Sequence, residues 1–334
     1  FDTGNTVGKF AQQYFDNGIE VKNKYWDIKG AIATTEKYID DGYETIYEAT
    51  AMRPEHGGYS SIDILRKVSG TDEWDLIEVK SSTSVKDYHV DDLAFQYHVF
   101  HNAGYNIRRC FMMLINNQYK REGEIDPQKF LKLEEITKDV LVRQENFHVS
   151  ATYLVDIRNQ GVEPIEEIGA RCSKPFECDY KKHCWQQVPD YSIYNVFNAK
   201  KADQIFQTTK SYHLNDVPED LLPNGLKRID LECYLKEVEN FDKEHIVSFL
   251  NELKYPLYYL DYETLFPAIP LFDGTRPYQQ IPFQYSLHVQ DELGGETTHY
   301  EFLHKEISDP RPAFVESLIS SCGESGSLII YNKS

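Results

Sequence analysis

One stretch of the chain, residues 60–80 (SSIDILRKVSGTDEWDLIEVK), constrains the fold more than any other. Ser61–Val68 and Trp74–Lys80 are apolar-rich runs of strand length. Ser69–Glu73, between them, has the composition of a turn. The stretch therefore predicts a β-hairpin, and any fold of this chain has to accommodate two neighbouring antiparallel strands at this point.

Three polar residues of this hairpin can form one site. Asp63 lies in the first strand, and Glu78 and Lys80 lie in the second, separated by Val79. Side chains alternate faces along a strand, so Glu78 and Lys80 are predicted to point the same way. Two carboxylates can hold a hard divalent cation, and a lysine beside them can position or activate water. The alternative is structural, because many surface strands contain Glu-x-Lys.

The order Asp63, a gap, then Glu78-x-Lys80 resembles the PD-(D/E)xK nuclease superfamily. Asp91–Gly104 (DDLAFQYHVFHNAG) looks like the helix that follows the active hairpin in RecB-like nucleases, with Gln96 in the place of their helix glutamine. The resemblance implies an α/β domain of the restriction-endonuclease-like type, with a mixed sheet flanked by helices. It also implies a metal-dependent nuclease in which Asp63 and Glu78 bind Mg²⁺ or Mn²⁺, Lys80 orients water and Gln96 assists.

Two neighbouring segments bear on this site. Thr45–Met52 is a predicted strand with Glu48 in its middle, and the family position suggests an auxiliary acid near the metal. An exposed strand glutamate is the alternative.

Helix 92–103 places Gln96 on an apolar stripe. A buried glutamine needs partners, which could be active-site water, a substrate phosphate or core groups. The first helix, predicted over Phe1–Asn17, lacks the histidine that RecB-like nucleases often carry there.

The charge and length of the chain limit its partners. The net charge of −19 over 334 residues argues against broad binding of duplex DNA, because such binding depends on neutralising phosphates. The nuclease resemblance implies DNA as the partner, and the acidic charge favours single strands or ends over long duplexes. No apolar stretch approaches the roughly 20 residues that span a bilayer, and no signal peptide is visible. A cytoplasmic protein is expected, although the chain opens at Phe1 without Met.

Three of the six cysteines lie close together. Cys172, Cys178 and Cys184 are separated by five residues each, which suggests a metal or iron–sulfur site. RecB-like nucleases of the AddB and CRISPR-associated type close their nuclease domain with three such cysteines, usually spaced by two and five, and one upstream cysteine. The resemblance implies a [4Fe–4S] cluster whose fourth ligand is outside this chain, or Zn²⁺. Cys110, in an apolar strand, and Cys233 are poor substitutes by position.

A second pair of acids lies in a strand near the C-terminal end. Asp261 and Glu263 are two apart in the predicted strand Tyr258–Thr264 and therefore share a face. The pair resembles the Asp-x-Glu of DnaQ-type exonucleases, which have an RNase H-like fold and bind two divalent metals. Further strands are predicted over Ile281–Val289 and Leu328–Asn332. The remaining acids of such a site are expected beyond the end of this chain.

The other elements are predicted from apolar periodicity. They are a helix over Ile32–Asp41, a buried strand over Ile107–Asn116, a charged helix over Asp126–Asn146, a linker with short helices over Val188–Asp220, and a long helix over Leu231–Leu253. Asp91 or Asp92 is expected to cap the start of the helix over 92–103, and Gly104 fits its end.

Together these features resemble a bacterial family of unknown function that joins a RecB-like nuclease to a DnaQ-like exonuclease. The resemblance implies a nuclease domain over 1–187, a helical linker over 188–254 and the start of an RNase H-like α/β domain over 255–334. It also implies hydrolysis of DNA phosphodiester bonds, in repair, recombination or defence. The alternatives are a catalytically silent nucleic-acid-binding or scaffold protein, and an enzyme whose main activity lies in the DnaQ-like half.

Overall fold

The structure is a computed structural model that describes residues 2–53, 58–165 and 167–331, without the side chains of Asp2 and His148. Its class is α/β, with mixed sheets flanked by helices. In the described part of the chain, no helix combines the length and apolar character needed to cross a membrane.

The chain forms two compact units. The first comprises Phe1–Gly161 together with Lys254–Ser334, and the second comprises Val162–Leu253. These bounds differ from the expected division at residue 187, since the chain leaves the first unit at Gly161. The segment that carries the three clustered cysteines therefore belongs to the second unit.

The first unit contains a six-stranded sheet in which the strands follow one another in chain order. The β1–β2 and β4–β5 pairs are parallel, and the other three pairs are antiparallel. The predicted strand over 45–52 and the predicted hairpin are both confirmed. The strands are β1 (Ile19–Glu20), β2 (Thr45–Met52), β3 (Tyr59–Lys67), β4 (Glu73–Lys80), β5 (Asn106–Ile115) and β6 (Leu131–Glu135).

Helices cover both faces of this sheet. On one face α3 buries Leu93 and Phe100 against an apolar cluster that includes Leu76. On the other face α1 buries Val7 against a cluster that includes Ile77. The helices of this part are α1 (Asp2–Gln12), α2 (Ile28–Asp40), α3 (Asp87–Asn102), α4 (Pro127–Phe130), α5 (Thr137–Val142) and α6 (Gln144–Gln160).

Two predictions in this region are wrong in detail. Residues 126–146 form two short helices, the edge strand β6 and the start of α6, and not one helix. Leu131 and Leu133 alternate with polar residues, and the backbone from Leu131 pairs with β5. Helix α3 begins at Asp87, several residues before the predicted cap. The predicted end is confirmed, because Gly104 follows with φ of +98°.

The second unit is a small helical domain, whereas a linker was expected over much of it. It has its own apolar core, to which Ile193, Ile205 and Leu231 contribute. The predicted long helix is broken, because Glu237 adopts a left-handed conformation and Asp242 caps a new helix through the amide of His245. The helices are α7 (Lys181–Cys184), α8 (Ile193–Val196), α9 (Ala199–Thr209), α10 (Leu226–Lys236) and α11 (Lys243–Glu252).

The first unit also contains a second sheet, of four strands in the order β10-β7-β8-β9. Helix α12 packs on one face, where Tyr258, Tyr285 and Phe314 are buried together. The strands predicted over Tyr258–Thr264 and Ile281–Val289 are confirmed. The strand predicted over Leu328–Asn332 is confirmed only at Leu328 and Ile329, because the observed strand ends at Ile329 and Asn332 lies outside the described residues. The elements are β7 (Leu257–Leu265), β8 (Ile281–Gln290), β9 (Thr297–Leu303), α12 (Arg311–Ser321) and β10 (Ser327–Ile329).

Candidate active site

The site predicted from the hairpin is a row of acids on three neighbouring strands. The pairing of Tyr47 with Ile64 and of Ala49 with Ile62 places Glu48 of β2 opposite Asp63 of β3. The last β3–β4 pair joins Ile64 to Ile77. Asp63 precedes Ile64 in β3 and Glu78 follows Ile77 in β4, so these two acids occupy the next cross-strand position.

The backbone ladder between β3 and β4 ends at this row. The amide of Val79 donates to the carboxylate of Asp63, with N to Oδ2 at 2.6 Å, so a side chain takes the place of a main-chain acceptor. Asp63 is thereby fixed beside the Glu78-x-Lys80 segment, as the sequence predicted for one shared site.

Lys80 lies between two acids. Its Nζ is 2.7 Å from Oε1 of Glu78 and 2.6 Å from Oδ2 of Asp92. The Lys80 side chain is 26% exposed, whereas that of Glu78 is 8% exposed. Since Glu78 and Lys80 belong to one strand and share a face, the alternation predicted from Glu-x-Lys is confirmed. The sequence suggests only a cap role for Asp92, whereas the structure shows Asp92 as a partner of the lysine.

Gln96 completes the surroundings of Glu78. Its Nε2 donates to Oε2 of Glu78 at 2.9 Å, and it lies one helical turn after Asp92 on the same face of α3. The residue is 4% exposed. Its Oε1 has no hydrogen-bond partner among the described residues. Buried polar atoms in native proteins are nearly always partnered, so this oxygen is available to a water or a ligand in the site.

The electrostatics of the row favour protons or a cation. Burial raises the pKa of Glu78 to about 8, and the nearby Asp63 adds to the effect. Burial likewise raises the pKa of Asp63 to about 6, against the hydrogen bond from Val79, and Glu48 adds to the rise. The pKa of Lys80 is raised because Glu78 and Asp92 outweigh its own desolvation. These shifts arise because several carboxylates share a poorly solvated space around a single ammonium group.

Glu48 has an unusual backbone. Its φ is +57°, a left-handed conformation that costs a residue other than glycine about 1–3 kcal/mol. Its neighbours in β2 are buried, while its own side chain keeps solvent exposure. Desolvation raises the pKa of Glu48, and Glu78 and Glu20 add to the rise. The structure therefore brings Glu48 into the electrostatic environment of Glu78 and Asp63, and its role as an auxiliary acid stays a prediction.

The chemistry of these donors suits a hard divalent cation. Asp63, Glu78 and the orphaned amide oxygen of Gln96 offer oxygen ligands, which Mg²⁺ and Mn²⁺ prefer. A cation would offset both the burial and the carboxylate repulsion that raise the pKa values of Asp63 and Glu78. Across the described residues, no cluster of three or more His, Cys, Asp or Glu is arranged to hold a metal ion. Lys80 has the role of counter-ion in this arrangement.

The cysteine prediction gains no support from the geometry. Cys172, Cys178 and Cys184 are all free thiols, Cys178 is exposed, and the described residues hold no metal-binding cluster. The amide of Cys178 donates to the carbonyl oxygen of Cys172 at 2.9 Å, so the segment folds back on itself. An iron–sulfur or zinc site at these residues stays a prediction.

The second acidic pair lies on the open face of β7. Asp261 and Glu263 are both exposed, on the side opposite the aromatic core of that sheet. Their cross-strand partners are Ser286 and Gln284 of β8, and Glu301 of β9 lies beyond Ser286. The shared face predicted for Asp261 and Glu263 is confirmed.

Sequence reasoning missed two contributions to the first site. Asp92 could have been recognised from its i, i+4 spacing to Gln96, which places both residues on one face of a helix. Tyr278 lies in the loop between β7 and β8, and its hydroxyl donates to the carbonyl oxygen of Ser81, the residue after Lys80. No local pattern predicts this contact, because almost two hundred residues separate the partners.

Comparison with known proteins gives one result. Residues 258–334 match a family model described as "Domain of unknown function (DUF2779)", which covers the second sheet from β7 onward. No curated protein and no solved structure matches the chain.

Proposed function

We propose that this protein is a divalent-metal-dependent nuclease that hydrolyses phosphodiester bonds of DNA at the row of acids on β2, β3 and β4. The observation that carries the proposal is the hydrogen bond between Asp63 and the amide of Val79. This bond joins the first acid to the Glu78-x-Lys80 strand within one poorly solvated site. Carboxylates with raised pKa values beside a fixed lysine are found at functional sites more often than on ordinary surface strands.

The finer fold assignment is part of the proposal. We infer that the first sheet is restriction-endonuclease-like. The β3–β4 hairpin, which carries Asp63, Glu78 and Lys80 and is followed by α3, supports this inference. We infer that the second sheet belongs to an RNase H-like domain. Its first strand, β7, carries Asp261-x-Glu263, and β8 pairs with it as a hairpin. A resident metal and the DNA substrate are both inferred from the donor set and from the resemblance of the hairpin pattern.

Each residue of the site has a role in this proposal. Asp63 and Glu78 hold the cation, which when bound would polarise the scissile phosphate and lower the pKa of water. Lys80 orients the attacking water and stabilises the charge that develops on the phosphate oxygens. Asp92 and Gln96 keep Lys80 and Glu78 in place. The oxygen of water forms the new bond to phosphorus, the P–O ester bond breaks, and the leaving oxygen takes up a proton.

A non-catalytic scaffold is a weaker alternative because it does not account for the polar groups of this site. A silent nuclease fold does not need a buried glutamate, a lysine in contact with two acids and a glutamine oxygen without a partner. Buried charged groups that serve no function cost stability, and burial of apolar residues of similar volume is often better.

Hydrolysis of labelled DNA tests the proposal. The wild-type protein should cut the labelled DNA in the presence of Mg²⁺ or Mn²⁺ and should not cut it in EDTA. The Lys80→Ala variant should be inactive. Asp261→Ala, in the second sheet, is the matched control and should keep this activity. A Lys80→Ala variant that cuts at the wild-type rate would refute the proposal. Loss of cutting in Asp261→Ala alone would assign the activity to the second sheet.

A further inference from the structure

A polar cleft lies in the first unit at the end of β4, where Lys80 is located. Its volume of about 960 Å³ is at the upper end of ordinary ligand pockets. Three loops line it: residues 81–86 between β4 and α3, residues 117–120 after β5, and residues 266–279 between β7 and β8. We call it the β4 cleft.

The loop over residues 266–279, which is the third loop that lines the β4 cleft, is held firmly against the first sheet. Nη1 of Arg121 donates to the carbonyl oxygens of Pro270 and Leu271, both at 2.9 Å. The amide of Gly274 donates to the carbonyl oxygen of Arg121 at 2.8 Å. Ala268 is buried in the apolar cluster beneath the sheet. The cleft is therefore preformed, and little ordering is needed for a ligand to bind.

Three cationic side chains surround the β4 cleft. Lys86, Lys120 and Arg276 all line it and are all exposed. Within the described part of the chain, none of the three forms an ion pair with a carboxylate. On a chain of net charge −19, such a group of uncompensated cations forms a local positive site. It suits a ligand that carries several negative charges along its length.

Aromatic and hydroxyl groups complete the lining. Phe266 is 59% exposed, and its ring centroid lies 5.5 Å from that of Tyr278. Tyr278 is fixed by the bond from its hydroxyl to the carbonyl oxygen of Ser81. The first loop is rich in hydroxyls, with the sequence Ser81-Ser-Thr-Ser84. An exposed aromatic ring beside cations and hydroxyls can stack on a base while the cations bind phosphates.

The β4 cleft is adjacent to the acidic site. Ser81 follows Lys80 directly in the chain. Ser81 and Lys86 both line the cleft, and the segment that joins them starts at the end of β4. A strand bound in the cleft would therefore pass beside the end of β4, where Lys80 lies.

We propose that the β4 cleft binds a single-stranded nucleic acid, with its phosphates on Lys86, Lys120 and Arg276 and a base against Phe266. This inference deepens the proposed function and rests on it for the statement that the bound strand is a substrate. A single strand is favoured over a duplex because stacking on Phe266 requires an unpaired base face. In addition, a few cations suffice for a short flexible strand on an otherwise acidic protein.

Fluorescence anisotropy with a labelled oligothymidylate, in EDTA over a series of salt concentrations, tests this inference. Lys120→Ala combined with Arg276→Ala should weaken binding at low salt by about tenfold or more. It should also reduce the slope of log K against log salt by about 1.4, since each neutralised phosphate of a single strand contributes about 0.7. Phe266→Ala should weaken binding by about fivefold or more and leave the slope unchanged.

Lys200→Ala combined with Lys227→Ala is the matched control, because it removes two exposed cations from the second unit. It should bind like wild type, and all variants should keep the wild-type melting temperature. Equal binding by the cleft variant and the control would overturn the inference. So would a wild type that fails to bind, or a duplex that displaces the strand as well as an unlabelled single strand does.

The two proposals fail in distinguishable ways, because binding is measured without metal. If the strand is bound through the β4 cleft but not cut when Mn²⁺ is added, the proposed nuclease function is wrong and the cleft assignment holds. If the strand is cut and the Lys120→Ala, Arg276→Ala variant binds and cuts like wild type, the cleft assignment is wrong and the nuclease function holds.

Discussion

The carboxylate of Asp63 accepts a hydrogen bond from the amide of Val79, with Oδ2 to N at 2.6 Å. Val79 is the residue between Glu78 and Lys80, so this bond ties the first acid of the site to the strand that carries the other two groups. The backbone pairing of β3 with β4 stops at Ile64 and Ile77. The site thus lies where the hydrogen bond to the Asp63 side chain takes the place of the next backbone hydrogen bond between β3 and β4.

The first prediction separates the charge of Asp63 from its hydrogen bond. Asp63→Asn keeps an oxygen that can accept from Val79, whereas Asp63→Ala does not. Both should lose DNA cleavage by more than the 10–100-fold typical of residues that merely support a metal ligand. In EDTA, Asp63→Ala should be less stable than Asp63→Asn by about 1–3 kcal/mol, because a buried amide loses its acceptor. Urea unfolding measures this difference, and equal stability would contradict the structural role given to the bond.

The second prediction concerns the effect of pH on metal-free protein. Glu78 has a pKa of about 8 in the folded chain against an ordinary value of 4.5, and Asp63 about 6 against 3.8. Between the ordinary and the raised values the folded state binds more protons than the unfolded chain. The free energy of unfolding should therefore fall as pH rises toward 8, by about 1.4 kcal/mol per pH unit for each proton of difference.

Urea unfolding in EDTA at several pH values measures this trend. Glu78→Gln carries no titrating group at that position and should flatten the decline. Metal binding should show the opposite dependence and strengthen over the same range, since the cation competes with protons for both carboxylates. A stability of the metal-free protein that is constant or rises between pH 5 and 8 would contradict the assigned burial of these acids.

The third prediction uses two acids that are neighbours in the chain. Asp92 contacts Lys80, with Oδ2 to Nζ at 2.6 Å, whereas Asp91 forms an ion pair with Arg143. Asp92→Asn should lower kcat by about 10–100-fold and leave metal affinity nearly unchanged, because it frees the ammonium group that orients water. Asp91→Asn is the control and should keep wild-type kinetics. Steady-state cleavage with a metal titration distinguishes them, and equal effects would rule out a positioning role for Asp92.

The fourth prediction concerns the unpartnered oxygen of Gln96. Gln96→Leu keeps the volume of the side chain and removes both the bond to Glu78 and the orphaned Oε1. Activity or metal affinity should fall by about 10–100-fold. The folded state should lose at most about 1 kcal/mol, the net contribution of one hydrogen bond, and removal of an unsatisfied atom offsets part of that loss. Cleavage kinetics and urea unfolding measure the two effects, and a fully active variant would show that Gln96 only fills the core.

Much of the site can be predicted from the sequence with local rules of strand and helix geometry. The alternation in Glu78-Val79-Lys80 and the shared face of Asp261 and Glu263 require only strand geometry. The position of Gln96 requires only helical periodicity. The row across the strands also depends on register, which apolar residues such as Ile64 and Ile77 fix by their burial.

The rest depends on contacts between distant parts of the chain. Asp92 looked like a cap because the true start of α3, at Asp87, gives no strong sequence signal. The polar residues of β6 resembled those of a helix until pairing with β5 selected a strand. The contact of Tyr278 with Ser81 requires the whole β7–β8 loop to dock on the first sheet, and no window of sequence contains both partners.

The most direct test of the central claim is the position of a divalent ion. Crystals of the protein grown with Mn²⁺ and measured near the manganese absorption edge would locate the ion by its anomalous scattering. We expect a peak within direct bonding distance of the carboxylates of both Asp63 and Glu78, and no such peak for Asp63→Ala. Clear density for both side chains without a manganese peak, at a concentration of Mn²⁺ that supports DNA cleavage, would contradict it.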